Sequence, residues 1–471
     1  MIQFGTGGWR AIIADGFTKE NVRLLCTALS VKMKGENVSE RGIVIGYDRR
    51  FLSDVAARWA AEVFGAAGVP VKLIRREAPT PLIMFAVKEF DMPYGLAVTA
   101  SHNPAVYNGI KIFTRGGRDA DETVTGELEA IIGSLPPGGA ADAMRYEDGV
   151  ASGIITEIDP INTYIDTILR SVDLQAIRDA ELRVVLDPMY GVSKTSLQTI
   201  LLTARCHVDI IHERRDTLFG GRLPSPNVDT LGALRAAVLE AGAEIGIATD
   251  GDADRLGVID ETGRFLHPND ILVLLYWYLV SIKGWKGPVV RNLATTHMLD
   301  RVAASLGERC IEVPVGFKHI SKAMSDNDAV LGGESSGGLT VRGHINGKDG
   351  IYAASLLIEM MAVTKRRLSE IYKEITNELG ELHMAESDCK FPPERRQAIE
   401  SLLMREQKLP GFRWGIERVS YMDGCKVYFQ NGGWLVCRFS GTEPLLRIFC
   451  EMETAADANE AARQMKEYLS V

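Results

Sequence analysis

The stretch Gly95-Leu-Ala-Val-Thr-Ala-Ser101-His-Asn-Pro104 passes from an apolar segment into a polar turn. Residues 96–98 predict a short buried strand, and Asn103-Pro104 with Asn108-Gly109 are turn dipeptides that bend the chain away. Ser101 therefore lies where the strand ends. A serine hydroxyl alone is a weak nucleophile, so Ser101 needs a base or carries a group that it hands over. An ordinary strand exit with a polar cap is the alternative.

Outward from this stretch, apolar strand patterns alternate with helical ones in three rounds. The predicted strands are 43–47, 71–74, 94–99, then 183–187, 207–211, 243–249, then 288–290, 310–313, 329–331. The helices between them are 53–67, 81–89, 193–204, 228–241, 296–306 and 318–325. Such alternation predicts largely parallel sheets covered by helices, with ligands beyond the carboxyl ends of the strands. Each round ends in a polar or glycine-rich loop, so we expect three domains facing one cleft.

Past Lys365 the pattern changes to a smaller α+β unit. It predicts a polar helix within 390–407, strands at 418–421, 424–430, 434–439 and 445–451, and a helix at 455–469. We expect four domains, at 1–150, 151–256, 257–370 and 371–471. The Gly/Ala/Asp-rich segment 136–153 predicts a loop. The opening Gly5-Thr-Gly-Gly-Trp-Arg10 is either a flexible leader or an anion-binding turn with Arg10.

Composition limits the partners and the compartment. The chain has 471 residues and a net charge of −9, which argues against nucleic acid as a partner. Seven scattered cysteines without a C-x-x-C pair indicate reduced thiols in a cytoplasmic protein. No secretory signal opens the sequence, and the most apolar run, 271–282, is shorter than a membrane span and predicts a buried helix.

Asp250-Gly-Asp252-Ala-Asp254 places three carboxylates at alternate positions. Crowded carboxylates repel, so a hard divalent cation is the expected companion, and a phosphoserine at Ser101 would supply another oxygen ligand. Two other sites share this spacing. A calcium EF-hand loop would need glycine where Arg255 stands and helices where strands are predicted, and an aspartyl-phosphate phosphatase would use Asp250 as its nucleophile.

Two further segments favour a sugar phosphate. Arg438-Phe-Ser440-Gly-Thr442 combines a guanidinium, two hydroxyls and a glycine, which is typical of a phosphate cradle, and Arg447 adds a second charge. Gly332-Gly-Glu334-Ser-Ser336-Gly-Gly338 presents one carboxylate among small residues, which suits two sugar hydroxyls. A hairpin turn with a surface arginine and a structural glycine turn are the respective alternatives.

Together TASHNP, NGIK, DGDAD-R, GGESSGG, HINGKDG and RFSGTEP resemble, in order and spacing, the α-D-phosphohexomutase superfamily over the whole chain. The resemblance implies three similar mixed α/β domains facing one cleft and a small C-terminal α+β domain that resembles the TATA-box-binding protein. It implies an intramolecular phosphotransferase that moves phosphate between C1 and C6 of a hexose. The implied cofactors are Mg²⁺ and glucose 1,6-bisphosphate, as activator and intermediate.

The resemblance also implies roles for individual residues. Ser101 would be the phosphoserine, and its phosphate with Asp250, Asp252 and Asp254 would hold Mg²⁺. Lys348 in HINGKDG is similar to a lysine that serves as general acid/base in glucose-specific members. The residues implied around the transferring phosphate and the sugar are Arg10, His102, Lys111, Arg255, Lys318, Glu334 and Ser336. Those implied at the non-reacting phosphate are Arg438, Ser440, Gly441, Thr442 and Arg447.

For the substrate we expect exchange between glucose 1-phosphate and glucose 6-phosphate. Many mannose- and glucosamine-type members have histidine where this chain has Gly338, and RFSGTEP is more similar to glucose-type members. Phosphomannomutase and phosphoglucosamine mutase are the alternatives within the family. A non-catalytic sugar-phosphate-binding protein is the alternative outside it. The expected partner is a hexose phosphate, with no nucleic acid or membrane, and the chain is expected to be a monomer or homodimer.

Overall fold

The structure is a computed structural model that describes residues 2–5, 7–136, 138–140, 142–439 and 445–471. The chain divides into two compact units. Unit 1 comprises Met1–Ile271 and Ser336–Ser369, and unit 2 comprises Leu272–Ser335 and Glu370–Val471. All seven cysteines are free thiols in the described part of the chain, as predicted. No helix among the described residues is long and apolar enough to span a bilayer.

Unit 1 begins with an eight-stranded mixed sheet. Its strands are β1 (Phe4–Gly5), β2 (Gly8–Ile12), β3 (Ile43–Tyr47), β4 (Val71–Ile74), β5 (Tyr94–Val98), β6 (Tyr107–Thr114), β7 (Arg118–Asp119) and β8 (Ile155–Ile158). Its helices are α1 (Lys19–Gly35), α2 (Ser53–Ala66), α3 (Thr80–Glu89), α4 (Glu122–Ser134) and α5 (Tyr146–Ser152). The strand order is β1-β2-β6-β5-β3-β4-β8, with β7 beside β6. Strands β5, β3, β4 and β8 are parallel, and β5 is buried along its whole length.

Three predictions in this region were wrong. Residues 8–12 form β2, paired antiparallel with β6, so the opening segment is not a flexible leader. Asn108-Gly109 does not turn but lies inside β6, because the Asn108 side chain donates hydrogen bonds to Phe51 O and Ser53 Oγ, both at 3.0 Å. Part of the predicted 136–153 loop forms helix α5. In each case long-range pairing or packing outweighs a local turn signal.

A second mixed sheet in unit 1 carries the acidic loop. Its strands are β9 (Arg183–Asp187), β10 (His207–Ile210), β11 (Ile245–Thr249), β12 (Leu256–Asp260) and β13 (Phe265–Leu266). Its helices are α6 (Ile161–Ser171), α7 (Leu174–Ala180), α8 (Lys194–Thr203) and α9 (Gly232–Ala241). Strands β10, β9 and β11 are parallel, whereas β11, β12 and β13 are antiparallel neighbours. The loop between β11 and β12 is therefore a hairpin connection at the carboxyl end of a buried parallel strand.

The third round of strands and helices lies largely in unit 2. Its elements are α10 (Pro268–Trp277), β14 (Val289–Asn292), α11 (Met298–Ser305), β15 (Cys310–Val313), α12 (Phe317–Asn327) and β16 (Leu331–Gly333). Strand β14 pairs in parallel with both β15 and β16. A π-helical turn, Tyr278–Ile282, extends α10, so the apolar run forms the predicted buried helix. The chain then returns to unit 1 with β17 (Leu339–Val341) and α13 (Gly350–Thr364).

The C-terminal region of unit 2 is built on an antiparallel sheet. Its elements are α14 (Leu368–Leu379), β18 (His383–Lys390), α15 (Arg396–Glu400), β19 (Ile416–Ser420), β20 (Cys425–Phe429), β21 (Trp434–Phe439), β22 (Leu445–Met452) and α16 (Ala455–Leu469). The order is β18-β22-β21-β20-β19, and α16 packs its alanine-rich face on the sheet. Sequence patterns missed β18, whose alternating half-buried residues carry a weak strand signal. The fold is thus three α/β domains with mixed sheets and a small domain with an antiparallel sheet, as expected.

Candidate active site

Ser101 is held in a strained turn directly after β5. Its backbone is in the left-handed region, with φ of +52°, a conformation that costs an ordinary residue about 1–2 kcal/mol. The side chain is buried, with 1% of its residue surface exposed, and Ser101 Oγ donates a hydrogen bond to Asp250 Oδ2 at 2.8 Å. His102 Nδ1 lies 3.3 Å from the same hydroxyl. The turn therefore presents the serine oxygen to the acidic loop of the second sheet.

Arg50 fixes this turn through hydrogen bonds to its backbone, and the sequence analysis did not identify this residue. The guanidinium is buried and donates to four carbonyl oxygens of the turn, those of Ser101 and Asn103 at 2.6 Å, Pro104 at 2.9 Å and Tyr107 at 3.1 Å. Its face stacks on Phe219 at 4.9 Å. Arg50 follows β3, the parallel neighbour of β5, so the rule that sites form at the carboxyl ends of strands could have identified it.

Asp48 completes the support of the serine turn. Its Oδ2 accepts from Thr99 Oγ1 at 2.6 Å, and Thr99 Oγ1 in turn accepts from the Ser101 backbone N–H at 2.8 Å. Its Oδ1 accepts from the Arg50 N–H and from Ser53 Oγ. Burial raises the pKa of the Asp48 carboxyl, opposed by Arg50. Because both carboxylate oxygens of Asp48 accept hydrogen bonds, the network makes the turn rigid.

The three aspartates converge in a tight turn after β11. Ala253 has φ of +63°, and this turn brings one oxygen from each of Asp250, Asp252 and Asp254 within 4.8 Å of the others. All three carboxylates are fully buried. Burial, followed by the charges of Asp252 and Asp254, raises the pKa of Asp250 well above its usual value. The loop packs closely on the serine turn, because a Cβ added at Gly251 would lie 2.7 Å from Ser101 O.

Two lysines offset this negative charge. Lys111 Nζ lies 2.7 Å from both Asp252 Oδ2 and Asp254 Oδ2, and Lys348 Nζ lies 2.8 Å from Asp254 Oδ2. Although burial acts to raise it, Lys111 and Lys348 lower the pKa of Asp254 well below its usual value. The family resemblance implied Lys111 near the transferring phosphate and Lys348 as general acid/base, but the direct pairing of both lysines with the carboxylates was not anticipated.

The acidic loop has the donors that a hard metal ion requires. Among the described residues, Asp252 Oδ1 and Asp254 Oδ1 accept no hydrogen bond although both atoms are buried. Buried polar atoms are nearly always paired, so these two oxygens point to a missing partner. Carboxylate oxygens are preferred ligands of Mg²⁺, and the set fits such an ion. The flanking β11 and β12 are strands rather than helices, which excludes an EF-hand.

Lys348 owes its position to the loop that carries it. Asp349 caps α13 by accepting from the N–H groups of Ile351 and Tyr352, both at 2.9 Å, and its Oδ2 lies 2.6 Å from His344 Nε2. The stem of Lys348 fills the space beside Gly338, where an added Cβ would lie 2.2 Å from Lys348 Cδ. Gly338, which the sequence analysis connected with substrate choice, therefore also leaves the space that the Lys348 side chain occupies.

Three of the remaining predicted residues of unit 1, Arg10, Arg255 and His102, contact the serine turn or the acidic loop. Arg10, on β2, donates to Asn103 Oδ1 at 2.6 Å, and burial, followed by the charge of Arg255, lowers its pKa. Arg255 donates its backbone N–H to Asp250 Oδ1 at 3.1 Å. Burial, followed by the charges of Arg255 and Arg10, lowers the pKa of His102 well below its usual value, so the imidazole is neutral at neutral pH. Ser336 is exposed.

In unit 2, Glu334 follows β16 as predicted. The carboxylate is buried, and its Oε1 accepts from Asn292 Nδ2 and from the Gly316 N–H, both at 3.0 Å. Lys318 lies in the first turn of α12, half-buried. Asn292 and Gly316 were not anticipated, although Asn292 ends β14, the parallel neighbour of β16, and Gly316 follows β15, which is parallel to β14.

Arg438 and Arg447 are directly opposite each other on β21 and β22. Arg438 Nε lies 2.8 Å from Asp423 Oδ2, and Arg447 Nε lies 3.5 Å from Asp388 Oδ1. Like charges placed opposite each other across a ladder are destabilising, which suits a site that binds an anion. Three predicted cradle residues, Ser440, Gly441 and Thr442, lie outside the described residues.

Models of the phosphoglucomutase/phosphomannomutase family match along the chain. Alpha/beta/alpha domain I matches residues 1–136, domain II 162–263, domain III 267–379, and the C-terminal domain 407–467. The chain belongs to the phosphoglucomutase/phosphomannomutase family.

Relatives of this phosphohexomutase agree with that assignment along their whole length. A Thermococcus kodakarensis phosphoglucomutase/phosphomannomutase is 29% identical over 97% of this chain and 96% of the relative. A probable phosphoglucosamine mutase from the same organism is 31% identical over 99% of both chains. The crystal structure of a Thermus thermophilus protein assigned as a phosphomannomutase has a TM-score of 0.86 and 29% identity, and covers 100% of this chain and 99% of that one.

The family membership makes this chain an intramolecular phosphotransferase. The names of its relatives cover glucose, mannose and glucosamine phosphates, and the family assignment leaves the sugar open. Unit 1 of this phosphohexomutase brings together the predicted serine, the acidic loop and Lys348. The boundaries at 150, 256 and 370 and the oligomeric state stay predictions.

Proposed function

We propose that the protein interconverts glucose 1-phosphate and glucose 6-phosphate through a phosphoserine at Ser101 and a glucose 1,6-bisphosphate intermediate. The observation that carries the proposal is the 2.8 Å hydrogen bond from Ser101 Oγ to Asp250, beside two buried carboxylate oxygens that accept no hydrogen bond among the described residues. Mg²⁺ bound by these aspartates would supply positive charge to the transferring phosphoryl group. Phosphoryl transfer depends on positioning and charge neutralisation, and the buried Lys111 and the half-buried Lys348 lie beside the aspartates to supply positive charge.

The proposed first half-reaction transfers the enzyme's phosphoryl group to the sugar. The C6 hydroxyl oxygen of glucose 1-phosphate forms a bond to phosphorus while the bond from phosphorus to Ser101 Oγ breaks. In the proposed step Lys348 donates a proton to Ser101 Oγ as the bond to phosphorus breaks, and it receives the C6 hydroxyl proton in return. Burial and neighbouring cations keep His102 neutral, and its Nδ1 lies 3.3 Å from Ser101 Oγ.

In the second half-reaction the bisphosphate turns end for end and returns its other phosphoryl group. Ser101 Oγ forms the new bond to phosphorus, and the bond from phosphorus to the sugar O1 breaks. Lys348 donates a proton to O1 and receives the proton of the Ser101 hydroxyl. Each half-reaction returns Lys348 to its starting state, so no proton is consumed overall. We propose that Glu334 binds sugar hydroxyls in both orientations, together with Ser336 and Lys318, and that Arg438 and Arg447 bind the non-reacting phosphate with Ser440, Gly441 and Thr442.

Glucose is proposed as the preferred sugar because Gly338 stands where many mannose- and glucosamine-type members have histidine. The packing of Lys348 against Gly338 supports this choice, because a side chain at 338 would compete with the lysine stem for the same space. We propose mannose phosphates as secondary substrates.

The test is an assay with glucose 1-phosphate, Mg²⁺ and a trace of glucose 1,6-bisphosphate, in which glucose 6-phosphate and inorganic phosphate are measured separately. Isomer without inorganic phosphate is the expected result, and intact-mass analysis should show one phosphoryl group that is lost in Ser101→Ala. Inorganic phosphate without isomer would indicate a phosphatase and overturn the proposal. Binding without turnover would indicate a non-catalytic sugar-phosphate-binding protein. Parallel assays with mannose and glucosamine phosphates test the choice of sugar.

A further inference from the structure

Asp423, in the turn before β20, joins two parts of unit 2 that the proposed function treats separately. Its Oδ2 accepts from Arg438 Nε at 2.8 Å and also from the backbone N–H of Val315 at 3.0 Å. Val315 lies in the turn between β15 and α12, whereas Arg438 lies on β21 of the C-terminal sheet. One carboxylate oxygen therefore connects the arginine to the third α/β region.

The turn that Asp423 contacts also contacts the buried glutamate. Gly316, the residue after Val315, donates its N–H to Glu334 Oε1 at 3.0 Å, and Asn292 donates to the same oxygen. A continuous path of hydrogen bonds thus runs from Arg438 through Asp423 and the 315–316 turn to Glu334. Its two ends are the groups proposed to bind the non-reacting phosphate and the sugar hydroxyls.

Buried contacts fix the part of the C-terminal sheet that carries the Asp423 turn. Lys426, in the strand that follows the Asp423 turn, is buried and donates from Nζ to Leu293 O at 2.6 Å and to Glu312 Oε2 at 2.7 Å. Trp434 Nε1 and the His297 backbone N–H both donate to Glu451 Oε2. These contacts hold the C-terminal sheet against β14 and β15, so the position of the Asp423 turn is set by buried contacts of unit 2.

The arginine itself needs such a partner. Arg438 faces Arg447 across the ladder, and an unpaired guanidinium in that position would rotate away from the like charge. Asp423 engages Arg438 at Nε and does not use the Nη1–Nη2 fork, which is the part of a guanidinium that grips a phosphate in a bidentate manner. The carboxylate can therefore aim the fork without occupying it.

We infer that Asp423 is a positioning residue, which aims Arg438 at the non-reacting phosphate of a hexose phosphate and keeps it in register with Glu334. The inference rests on the proposed function, in which these two side chains bind the phosphate and the sugar. Asp423 touches neither the reacting atoms nor the metal site, so its effect is on substrate binding rather than on phosphoryl transfer.

The test compares Asp423→Asn with wild type. The amide oxygen of the variant can still accept from the Val315 N–H, but the charge that holds Arg438 is lost. We expect KM for glucose 1-phosphate to rise about 10-fold, the lower end expected for a hydrogen bond to a charged group, while kcat stays within about 2-fold. Inhibition by inorganic phosphate should weaken by a similar factor. Because the amide preserves the shape of the turn, the thermal unfolding midpoint should stay near that of wild type.

A double-mutant cycle with Glu334→Gln examines the path itself. If Asp423 keeps the two groups in register, the two KM effects are non-additive. The matched control is Glu460→Gln, which removes one of the two acidic partners of Arg463 on α16, 2.8 Å away, and should leave KM unchanged. An Asp423→Asn variant with wild-type KM and phosphate inhibition, or one that alters only the unfolding midpoint, would overturn the inference.

The readouts separate this inference from the proposed function. If wild type does not isomerise glucose 1-phosphate, the proposed function fails. Calorimetric titration with glucose 1-phosphate and inorganic phosphate still compares Asp423→Asn with wild type. A wild type that isomerises the sugar but binds both ligands no better than the variant would contradict the role of Asp423 alone.

Discussion

The Ser101 region of unit 1 and the Arg438 region of unit 2 both collect charged groups, but they differ in burial. Ser101, the three aspartates and Lys111 are each 3% exposed or less. The side chain of Arg447, in contrast, is 44% exposed and that of Arg438 is 19% exposed. In the buried region charges interact strongly and hold fixed positions, whereas in the open region water screens them. This difference supports our proposal that the serine region carries out the phosphoryl transfer and the arginine region binds the non-reacting phosphate reversibly.

The difference is consistent with what the two tasks require. Stabilising a transferring phosphoryl group needs fixed charges that do not reorganise during the reaction. A group that grips first one phosphate and then the other must release its ligand, so an exposed, partly screened arginine pair suits that task. Five measurements can break or sharpen the contrast.

Removing the serine hydroxyl should have the largest effect. Because Ser101→Ala deletes the atom that exchanges the phosphoryl group, we expect kcat to fall at least about 10⁴-fold, in the range seen when a nucleophile is removed. The isomerase assay with added glucose 1,6-bisphosphate measures this loss. Ser134→Ala, at an exposed position on α4, is the control. Parental turnover by Ser101→Ala would remove the basis of the proposed mechanism.

Loss of one acidic ligand should come next. We expect Asp254→Asn to lower kcat about 10²- to 10³-fold, as for the loss of an electrostatic stabiliser. Mg²⁺ should raise the unfolding midpoint of wild type, because a ligand that binds the native state stabilises it, but not that of the variant. Asp326→Asn, at an exposed carboxylate of α12, is the control. A variant that kept both the turnover and the Mg²⁺-dependent shift would contradict a metal site at the triad.

A methyl group placed at position 338, in the space that the Lys348 side chain occupies, should have a smaller effect on kcat. A Cβ at position 338 would displace the lysine stem from its place beside Asp254, so we expect Gly338→Ala to lower kcat by up to about 10²-fold, the lower figure for losing a general acid/base. The unfolding midpoint should change little, because a flexible side chain can move aside. Gly126→Ala, on α4 with no atom within 4 Å of the added methyl, is the matched control. Unchanged kcat in Gly338→Ala would show that the packing of Lys348 against Gly338 is not required for turnover.

Loss of an arginine from the partly exposed Arg438–Arg447 pair should affect substrate binding alone. We expect Arg447→Gln to raise KM for glucose 1-phosphate about 10-fold with little change in kcat, since one hydrogen bond to a charged group is lost. The defect should shrink as salt is added, because exposed charges are screened. Arg463→Gln on α16 removes an equally exposed arginine and should leave KM unchanged. If Arg447→Gln instead lowered kcat at constant KM, the distinction between chemistry and capture would be lost.

The smallest expected effect is the contribution of His297, in unit 2, to the pH dependence of the free energy of unfolding. Burial, followed by the charge of Arg291, lowers the pKa of His297 from the ordinary 6.5 to about 3. Between these values the unfolded chain binds a proton that the native protein does not, so stability falls as pH falls through this window. The slope from this one group is at most about 1.4 kcal/mol per pH unit.

His297→Gln should remove this slope, which urea unfolding at neutral and at mildly acidic pH would measure. The exposed His207→Gln is the control and should keep the wild-type slope. An unchanged slope in His297→Gln would mean that other groups account for the acid sensitivity of unit 2.

Local patterns predicted most of the fold because each round of strands and helices has its own hydrophobic period. The strand at 43–47 and the helix at 455–469 were predicted with their observed bounds. Errors came where a distant partner decides the conformation. Asn108-Gly109 is a common turn pair, yet it lies in β6 because β2 pairs with it and the Asn108 amide bonds to the start of α2.

The sequence by itself determined the family, and it predicted the serine, the acidic triad and the two arginines as site residues, because their chemistry is carried by short motifs. Only the tertiary structure decided which groups support them. Arg50 grips the serine turn from 51 residues away, and Lys111 reaches Asp252 across 141 residues. Asp423 meets Val315 across 108 residues. Such partners leave no local signal, because charges and hydrogen bonds act through space and folding sets those distances.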